Sequence, residues 1–182
     1  MSATIYLIRH GQSEFNAAHA LDPITDPMTF DAHLTELGVQ QAKLAREEVA
    51  DLGIKHVVAS PLARAIQTAM HIFGNDHPIT VNRYMSEKLY SSCDVGSHPT
   101  VLKDMFSHLS FDHLPTQWWY GDPDIDQRIQ AEPDDIFLTR ALGFRTWLDQ
   151  WNDEPLAVVG HGTFFVQLAG HHMQNCEIHK YR

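Results

Sequence analysis

Short apolar runs alternate along this chain with stretches of helical periodicity. Four runs rich in Val, Ile and Leu indicate buried strands, at residues 3–8, 56–60, 79–81 and 156–159. Amphipathic segments separate the runs, and the clearest of them, 137–151, repeats apolar residues every three or four positions. Strands that alternate with helices predict an α/β fold, here a three-layer sandwich in which helices flank a largely parallel central sheet.

Capping residues set the expected ends of the helices. Thr35 stands where a helix N-cap is expected, and Gly53 is a suitable stop for that helix. The Ser-Pro pair at 60–61 predicts a second N-cap followed by proline at the first helical position, with the helix running to about Phe73. A last helix is expected to begin near Thr163. Helices in these places would connect the strands as a layered α/β fold requires.

The length of the chain, 182 residues, favours one domain over residues 1–182, because domains commonly hold about 150 residues. Apolar residues make up 43%, which excludes disorder as the main state. The stretch from about 84–132 is less regular, with scattered Gly and Pro and the aromatic cluster 118–120. We interpret it as an inserted, partly helical segment. Its aromatic cluster could line a substrate site, although packing onto the core is the commoner role.

The charge balance restricts the class of partner. Acidic residues number 23 against 13 Lys and Arg, for a formal charge of −10. Polyanion binding depends on many Lys and Arg contacts, so neither nucleic acid nor an anionic membrane surface is expected as a partner. No apolar run approaches the roughly 18 residues of a membrane span. The first residues lack a signal-peptide pattern, and two cysteines fit a reducing compartment, so we expect a cytoplasmic location.

Two of the predicted strands run directly into a histidine. The first ends in Arg-His-Gly at 9–11 and the fourth in Gly-His-Gly at 160–162. Ligands of α/β sheets bind beyond the carboxyl ends of strands, and glycine lets backbone N–H groups approach a ligand closely. Arg64 lies in the first turn of the helix after the second strand, at the same edge. Two guanidinium groups and two imidazoles at one edge predict a pocket for a phosphate-like anion.

Five segments of the chain together resemble the histidine phosphatase superfamily, in its phosphoglycerate mutase-like branch. Residues 9–16 (Arg-His-Gly-Gln-Ser-Glu-Phe-Asn) are similar to the family signature, and 34–42 to the start of its first helix. Residues 59–69 resemble the segment that bears the second arginine, and 158–164 the second histidine motif. Glu87 stands where the family keeps a proton donor. The resemblance extends over most of the chain.

The resemblance implies a mechanism through a phosphohistidine. His10 would attack phosphorus with an unprotonated ring nitrogen, while its other ring nitrogen donates to a backbone carbonyl. Arg9, Arg64 and His161 would hold the phosphoryl oxygens and offset their charge. Glu87, protonated, would donate to the leaving oxygen and then accept a proton from water. That role requires a raised carboxyl pKa, and the alternative of an ordinary surface carboxylate at this position stays open.

Four further positions are candidates for contact with the substrate, and two of them have an alternative structural role. Asn16 and Ser13, and the backbone at Gly11 and Gly162, are candidate substrate-binding positions. Asn16 could equally cap a helix, and Ser13 is better suited to capping or bracing than to binding. No His-Glu-x-x-His or Cys-x-x-Cys pattern occurs, and the family implies neither a metal nor another cofactor.

The activity expected from the resemblance is hydrolysis of a small phosphate ester. Gln12 stands where mutases and sugar bisphosphatases of the family usually have Glu, which ranks hydrolysis above phosphoryl transfer between hydroxyls. The segment 86–96 and the pair 118–119 resemble a broad-specificity phosphatase branch. A phosphoglycerate mutase, a phosphoprotein phosphatase and a non-catalytic module that binds phosphorylated ligands stay open as alternatives, and so does a homodimer.

Overall fold

The computed structural model describes residues 3–74, 77–125, 128–152 and 154–182. Within these ranges five strands form one sheet in the order β3-β2-β4-β1-β5. The strands are β1 (Ile5–Arg9), β2 (His56–Ala59), β3 (Ile79–Val81), β4 (Leu156–Gly160) and β5 (Ile178–Lys180). Neighbouring strands are parallel except for β5, which runs antiparallel to β1. The largely parallel sheet predicted from the sequence is therefore confirmed, with one antiparallel edge strand added.

The described residues also form six α-helices and two short 3₁₀ turns. The helices are α1 (Glu14–Leu21), α2 (Glu36–Val49), α3 (Ala63–Phe73), α4 (Pro99–Met105), α5 (Asp134–Gln150) and α6 (Gly162–Ala169). The 3₁₀ turns are Arg83–Met85 and Ser92–Asp94. None of the helices in the described part of the chain is both long and apolar enough to cross a bilayer.

The alternation of side chains along each strand explains the three layers. Leu156 and Val158 of β4 pack on one face of the sheet with α5 and α6, in a cluster that includes Phe144. Ala157 and Val159, one residue along in each case, pack on the other face with α2 and α3. Both faces of β4 are fully buried. The expected three-layer sandwich is confirmed by this arrangement.

Two helix boundaries differ from the sequence expectation. The predicted N-cap at Ser60 is wrong, because α3 begins at Ala63 with Leu62 at its N-cap and no capping side chain there. The Ala63 N–H instead donates to Asp31 Oδ1 at 2.8 Å, so a carboxylate distant in sequence does the work of the cap. In α2 the cap at Thr35 is as predicted, but the helix ends before Gly53.

Two elements have no counterpart in the sequence analysis. Helix α1 follows directly on the first histidine motif, and β5 pairs with the open edge of β1 near the C-terminal end of the described chain. In the described part of the region 84–132, which excludes residues 126–127, α4 and the 3₁₀ turn Ser92–Asp94 are the regular elements besides the end of the turn Arg83–Met85. Trp118 of this region is buried against Phe106 and Phe111 and the α3 residue Ile66, so it packs on the core.

The backbone of helix α2 lies very close to the backbone of the loop that follows β1. A Cβ atom placed on Gly38 would lie 2.1 Å from the Gln12 carbonyl oxygen, and one placed on Gly11 would lie 2.6 Å from the Gly38 carbonyl oxygen. The Thr35 N–H also donates to the Gln12 carbonyl oxygen at 3.0 Å. Glycine at both positions thus lets α2 lie directly against the loop that carries His10.

Substitution of Gly38 by alanine tests this contact. We expect Gly38→Ala to lower the free energy of unfolding by about 1–3 kcal/mol, because the added methyl group must displace backbone. Gly143→Ala is the matched control, since a Cβ at Gly143 in the middle of α5 would meet nothing within 4 Å. Alanine there should raise stability by up to about 1 kcal/mol. Urea unfolding followed by tryptophan fluorescence measures both changes, and a stability for Gly38→Ala at or above the native value contradicts the prediction.

Candidate active site

The register of the parallel strands brings three separate segments together at one edge of the sheet. Arg9 pairs with Gly160 across β1 and β4, and Ala59 pairs with Val159 across β2 and β4. The residues that follow these strands therefore emerge side by side. As a result, the ring centroids of His10 and His161 lie 5.2 Å apart, and both side chains are buried.

The hydrogen bonds of His10 determine its protonation. Nδ1 lies 2.7 Å from the Gly11 carbonyl oxygen, which can only accept, so Nδ1 carries the proton. Nε2 accepts from Nε of Arg64 at 3.3 Å. Burial lowers the pKa of His10 well below its ordinary value of 6.5, and the positive charge of Arg64 lowers it further. His10 is therefore a neutral imidazole, and its Nε2 lone pair could attack an electrophile that displaces the N–H of Arg64.

His161 lies beside His10 and is fully buried. Its Nε2 is 2.7 Å from the Ser60 hydroxyl oxygen, and among the described residues its Nδ1 has no hydrogen-bonding partner. Burial, followed by the field of Arg64, lowers the pKa of His161 well below 6.5. The Ser60 hydroxyl that the sequence assigned to a helix cap thus orients this second imidazole.

Arg64 projects from the first turn of α3 between the histidines and a buried carboxylate. Its Nη2 donates to Asp94 Oδ1 at 3.0 Å and its Nη1 donates to the Cys93 carbonyl oxygen. The other oxygen of Asp94 accepts from the backbone N–H groups of Tyr90 and Ser91. Asp94 was not singled out from the sequence as a site residue. A buried guanidinium requires a compensating anion, and that requirement is the signal that could have found it.

Arg9 extends along the opposite side of the site. Its Nη1 donates to the Met173 carbonyl oxygen at 2.6 Å, while its buried Nε has no partner among the described residues. A Cβ on Gly162 would lie 3.3 Å from that Nε, so glycine at 162 leaves room for the guanidinium. Gly162 therefore supports Arg9 in this structure. Gly11 likewise has a packing contact, donating its N–H to the Thr68 hydroxyl at 3.0 Å.

The carboxylate of Glu87 occupies the N-terminus of α6. Oε1 accepts from the N–H groups of Lys88 and Phe164 at 2.9 and 3.0 Å, and Oε2 accepts from Thr163 N–H at 2.9 Å. Burial raises the pKa of Glu87, the nearby Asp94 charge raises it further, and the backbone N–H groups act in the opposite direction. The N–H groups after Gly162 that the sequence offered to a ligand thus bind Glu87 here.

Ser13 and Asn16 form a reciprocal cap at the start of α1. The Asn16 N–H donates to Ser13 Oγ and the Ser13 N–H donates to Asn16 Oδ1, each at 3.2 Å. Asn175 donates from Nδ2 to the His10 carbonyl oxygen at 2.8 Å, and that Nδ2 is 3.5 Å from Asn16 Oδ1. Ser13 and Asn16 also line the cavity beside His10, so each residue both caps α1 and faces the site.

These groups surround one cavity of about 370 Å³, which we call the central cavity. The side chains that line it are those of Arg9, His10, Ser13, Phe15, Asn16, Arg64, Glu87, Lys88, Tyr90, Ser91, Cys93, Asp94 and Thr163. It brings together six of the nine positions predicted from the sequence, while His161, Gly11 and Gly162 are not among its lining residues. A larger cavity of about 500 Å³ lies between 95–98 and Trp119, and none of those six predicted positions lines it.

The surroundings of the central cavity suit an anion. Its cationic side chains lie next to the neutral imidazole of His10, an arrangement that suits a tetrahedral oxyanion whose central atom accepts an electron pair. Among the described residues, no group of three or more His, Cys, Asp or Glu side chains is arranged to hold a metal ion. The arrangement defines a class of α/β sites in which two imidazoles, two guanidinium groups and a carboxylate share one sheet edge.

Comparison with known proteins identifies the family of the chain. A sequence model of the histidine phosphatase superfamily (branch 1) matches residues 5–182. The chain belongs to this superfamily, which confirms the resemblance drawn from its motifs. It is also 40% identical over 65 residues to the probable phosphoglycerate mutase GpmB of Yersinia pestis, covering 36% of this chain and 28% of that protein. The match thus spans little more than a quarter of the curated relative's length.

Solved structures of low sequence identity share the fold. Rv3214 from Mycobacterium tuberculosis aligns with a TM-score of 0.64 and 19% identity, covering 98% of this chain and 90% of that chain. The mycobacterial glucosyl-3-phosphoglycerate phosphatase Rv2419c, complexed with VO3, aligns with a TM-score of 0.63 and 18% identity, covering 97% and 90%. At these identities the alignments establish the architecture, and they include phosphatases of the same fold.

The lowered pKa of His161 predicts a specific pH dependence of stability. Between that lowered pKa and 6.5 the unfolded chain binds a proton at this histidine that the folded chain does not, so stability rises with pH. The slope approaches about 1.4 kcal/mol per pH unit for one histidine and vanishes above 6.5. We therefore expect the stability difference between the native chain and His161→Gln to increase with pH up to 6.5. Urea unfolding from about pH 5 to about pH 8 measures it, and a pH-independent difference contradicts the prediction.

Proposed function

We propose that this protein is a metal-independent phosphomonoesterase that works through a phosphohistidine at Nε2 of His10. The observation that carries the proposal is the neutral His10 ring, with its Nδ1 proton held by a carbonyl oxygen and its Nε2 directed at Arg64. The guanidinium of Arg64 would bind the phosphoryl oxygens, and the nitrogen lone pair beside it would then be placed for in-line attack on phosphorus.

The proposed reaction has two displacements at phosphorus. The Nε2 lone pair of His10 forms a P–N bond as the ester P–O bond breaks, and Glu87 gives its proton to the departing oxygen. Water then forms a P–O bond as the P–N bond breaks, its proton passes to Glu87, and the electron pair returns to Nε2. The raised pKa of Glu87 supports this role, since the first step requires a protonated carboxyl group.

Arg9, His161 and Arg64 would stabilise the transferring phosphoryl group. Arg9 lines the central cavity, where its guanidinium would donate to a phosphoryl oxygen. His161 has an unpartnered Nδ1 in the described structure. Arg64 already contacts Nε2 of His10, so a phosphoryl group on that nitrogen would lie against its guanidinium.

The charge of the central cavity supports hydrolysis of an ester with an uncharged leaving group. Three of its lining side chains, Arg9, Arg64 and Lys88, are cationic. Arg64 is paired with Asp94, and Lys88 forms an ion pair with Asp134. A mutase must hold a second anionic group of its substrate in addition to the transferring phosphate. With two of three cations already paired, the cavity is better matched to a single phosphate, as in a small phosphate monoester.

Substitution of His10 tests the proposed nucleophile. With a chromogenic aryl phosphate in the presence of a chelator, we expect His10→Ala to lower kcat/KM by at least about 10³-fold. His108→Ala, at an exposed histidine, and Cys176→Ala should change it less than about twofold. Rapid quench with ³²P-labelled substrate should trap an acid-labile, alkali-stable phosphoprotein that His10→Ala lacks.

Different outcomes distinguish the alternatives. Turnover that survives in His10→Ala overturns the phosphohistidine. Interconversion of phosphoglycerates faster than their hydrolysis supports a mutase. Binding of phosphate esters without turnover by the native chain at any pH supports a non-catalytic module, and preferential release of phosphate from a phosphoprotein supports a protein phosphatase.

The pairing of Arg64 with Asp94 predicts a competition with phosphate. In the described structure Nη2 of Arg64 donates to Asp94 Oδ1 at 3.0 Å. A phosphoryl oxygen could accept the same hydrogen bond if Asp94 did not. Asp94→Asn removes the competing charge, so inorganic phosphate should bind about tenfold more tightly and raise Tm more than it does in the native chain. Asp104→Asn, at an exposed carboxylate of α4 that does not line the central cavity, is the control. Equal phosphate-dependent shifts in Asp94→Asn and the native chain contradict the competition.

A further inference from the structure

A buried ion pair outside the central cavity contacts the backbone of the segment that carries Glu87. Arg140, on α5, donates from Nη1 to the carbonyl oxygens of Tyr84 and Ser86 at 3.0 and 2.7 Å. Its Nη2 donates to the carbonyl oxygen of Glu87 itself at 3.4 Å. One guanidinium group therefore holds three carbonyl groups within four residues of chain.

Glu132 holds the same segment from the other side. Its carboxylate accepts hydrogen bonds from both Nε and Nη2 of Arg140, at 3.0 and 2.7 Å, in a bidentate ion pair. Its Oε2 accepts from the Leu89 N–H at 3.4 Å, and its own N–H donates to the Leu89 carbonyl oxygen at 2.8 Å. The Glu132 side chain is 3% exposed, so the pair forms a brace that is largely shielded from water.

We propose that Arg140, oriented by Glu132, is a positioning residue that fixes the segment 84–89 so that the Glu87 carboxyl group reaches the leaving oxygen of the substrate. The proposal rests on the proton-donor role given to Glu87 in the proposed function. The Arg140 guanidinium makes three hydrogen bonds to carbonyl oxygens of this one segment, at residues 84, 86 and 87, and pairing with Glu132 alone does not require them.

The geometry requires arginine in particular. The planar guanidinium presents fixed donors that reach a carboxylate on one edge and carbonyl oxygens on the other, and a lysine ammonium has no such fork. The guanidinium carbon also lies 5.2 and 5.8 Å from the ring centroids of Phe137 and Phe164, and Phe164 donates its N–H to Glu87. The brace thus connects α5, the start of α6 and the Glu87 segment.

Proton donation makes a prediction that a structural role alone does not. An alkyl phosphate has a poor leaving group and needs a proton during P–O cleavage, whereas a nitrophenyl phosphate has a good one and depends on it far less. Glu87→Gln should therefore lower kcat/KM by about 10²–10⁴-fold for the alkyl ester and by less than about tenfold for the nitrophenyl ester. The loss of kcat/KM in Glu87→Gln is the reference value for complete removal of the proton donor.

Arg140→Lys is expected to reproduce this selectivity in part. It should lower kcat/KM by about 10–100-fold for the alkyl ester and by less than about threefold for the nitrophenyl ester, since a 1 Å displacement of a catalytic group costs on that order. Combining it with Glu87→Gln should add no further loss on the alkyl ester, because both changes remove the same function. Arg145→Lys, at an exposed arginine of the same helix, should affect neither ester.

The outcomes separate the two ideas. If Glu87→Gln discriminates between the esters and Arg140→Lys does not, the positioning role is overturned and the proposed function stands. If Glu87→Gln itself shows no discrimination, both fail. Equal losses on both esters in Arg140→Lys also overturn the proposal, since they indicate general damage to the fold. Should Arg140→Lys not fold by circular dichroism, Glu132→Gln, which keeps the shape of the side chain, is expected to show the same selectivity with a smaller loss.

Discussion

The parallel register of β1, β2 and β4 is the constraint on which the site depends. Because residues 9, 59 and 160 end their strands at nearly the same level, the next residue of each segment meets the others at one point. Parallel strands are joined by long crossovers, so residues far apart in sequence can be brought together only by the sheet itself. His10, Ser60 and His161 each follow the end of a parallel strand, and the contacts between them follow from hydrogen bonding in the sheet.

Compensation of buried charge is the second condition of the architecture. Arg64 is 3% exposed and its partner Asp94 7% exposed, which would be costly if either charge stood alone. The Glu132–Arg140 pair is similarly shielded. Such pairs contribute little net stability compared with apolar residues of the same volume, but removal of one partner is strongly unfavourable. Their effect here is geometric, because each pair holds a guanidinium in one orientation against backbone carbonyl groups.

The sequence was informative where local pattern decides structure, and less so where tertiary contacts do. The ends of strands can be recognised from short apolar runs, so the meeting of His10 and His161 was predictable. Ser60 satisfies every local rule for an N-cap, yet its hydroxyl binds an imidazole and Asp31 contacts the helix end instead. Asp94 ends a short 3₁₀ turn that is distant in sequence from α3, and no local pattern relates its position to Arg64.

The hydrogen bonds of Glu87 also determine where its proton must sit. Oε1 accepts two N–H groups, from Lys88 and Phe164, which uses both of its lone pairs in the carboxyl plane. Oε2 accepts one, from Thr163, and retains a second position. A proton on the carboxyl group therefore belongs on Oε2. The N-terminus of α6 thus favours one of two possible proton positions on Glu87 and fixes the direction in which the proton is donated. The raised pKa of Glu87 has a separate cause, which is burial next to Asp94.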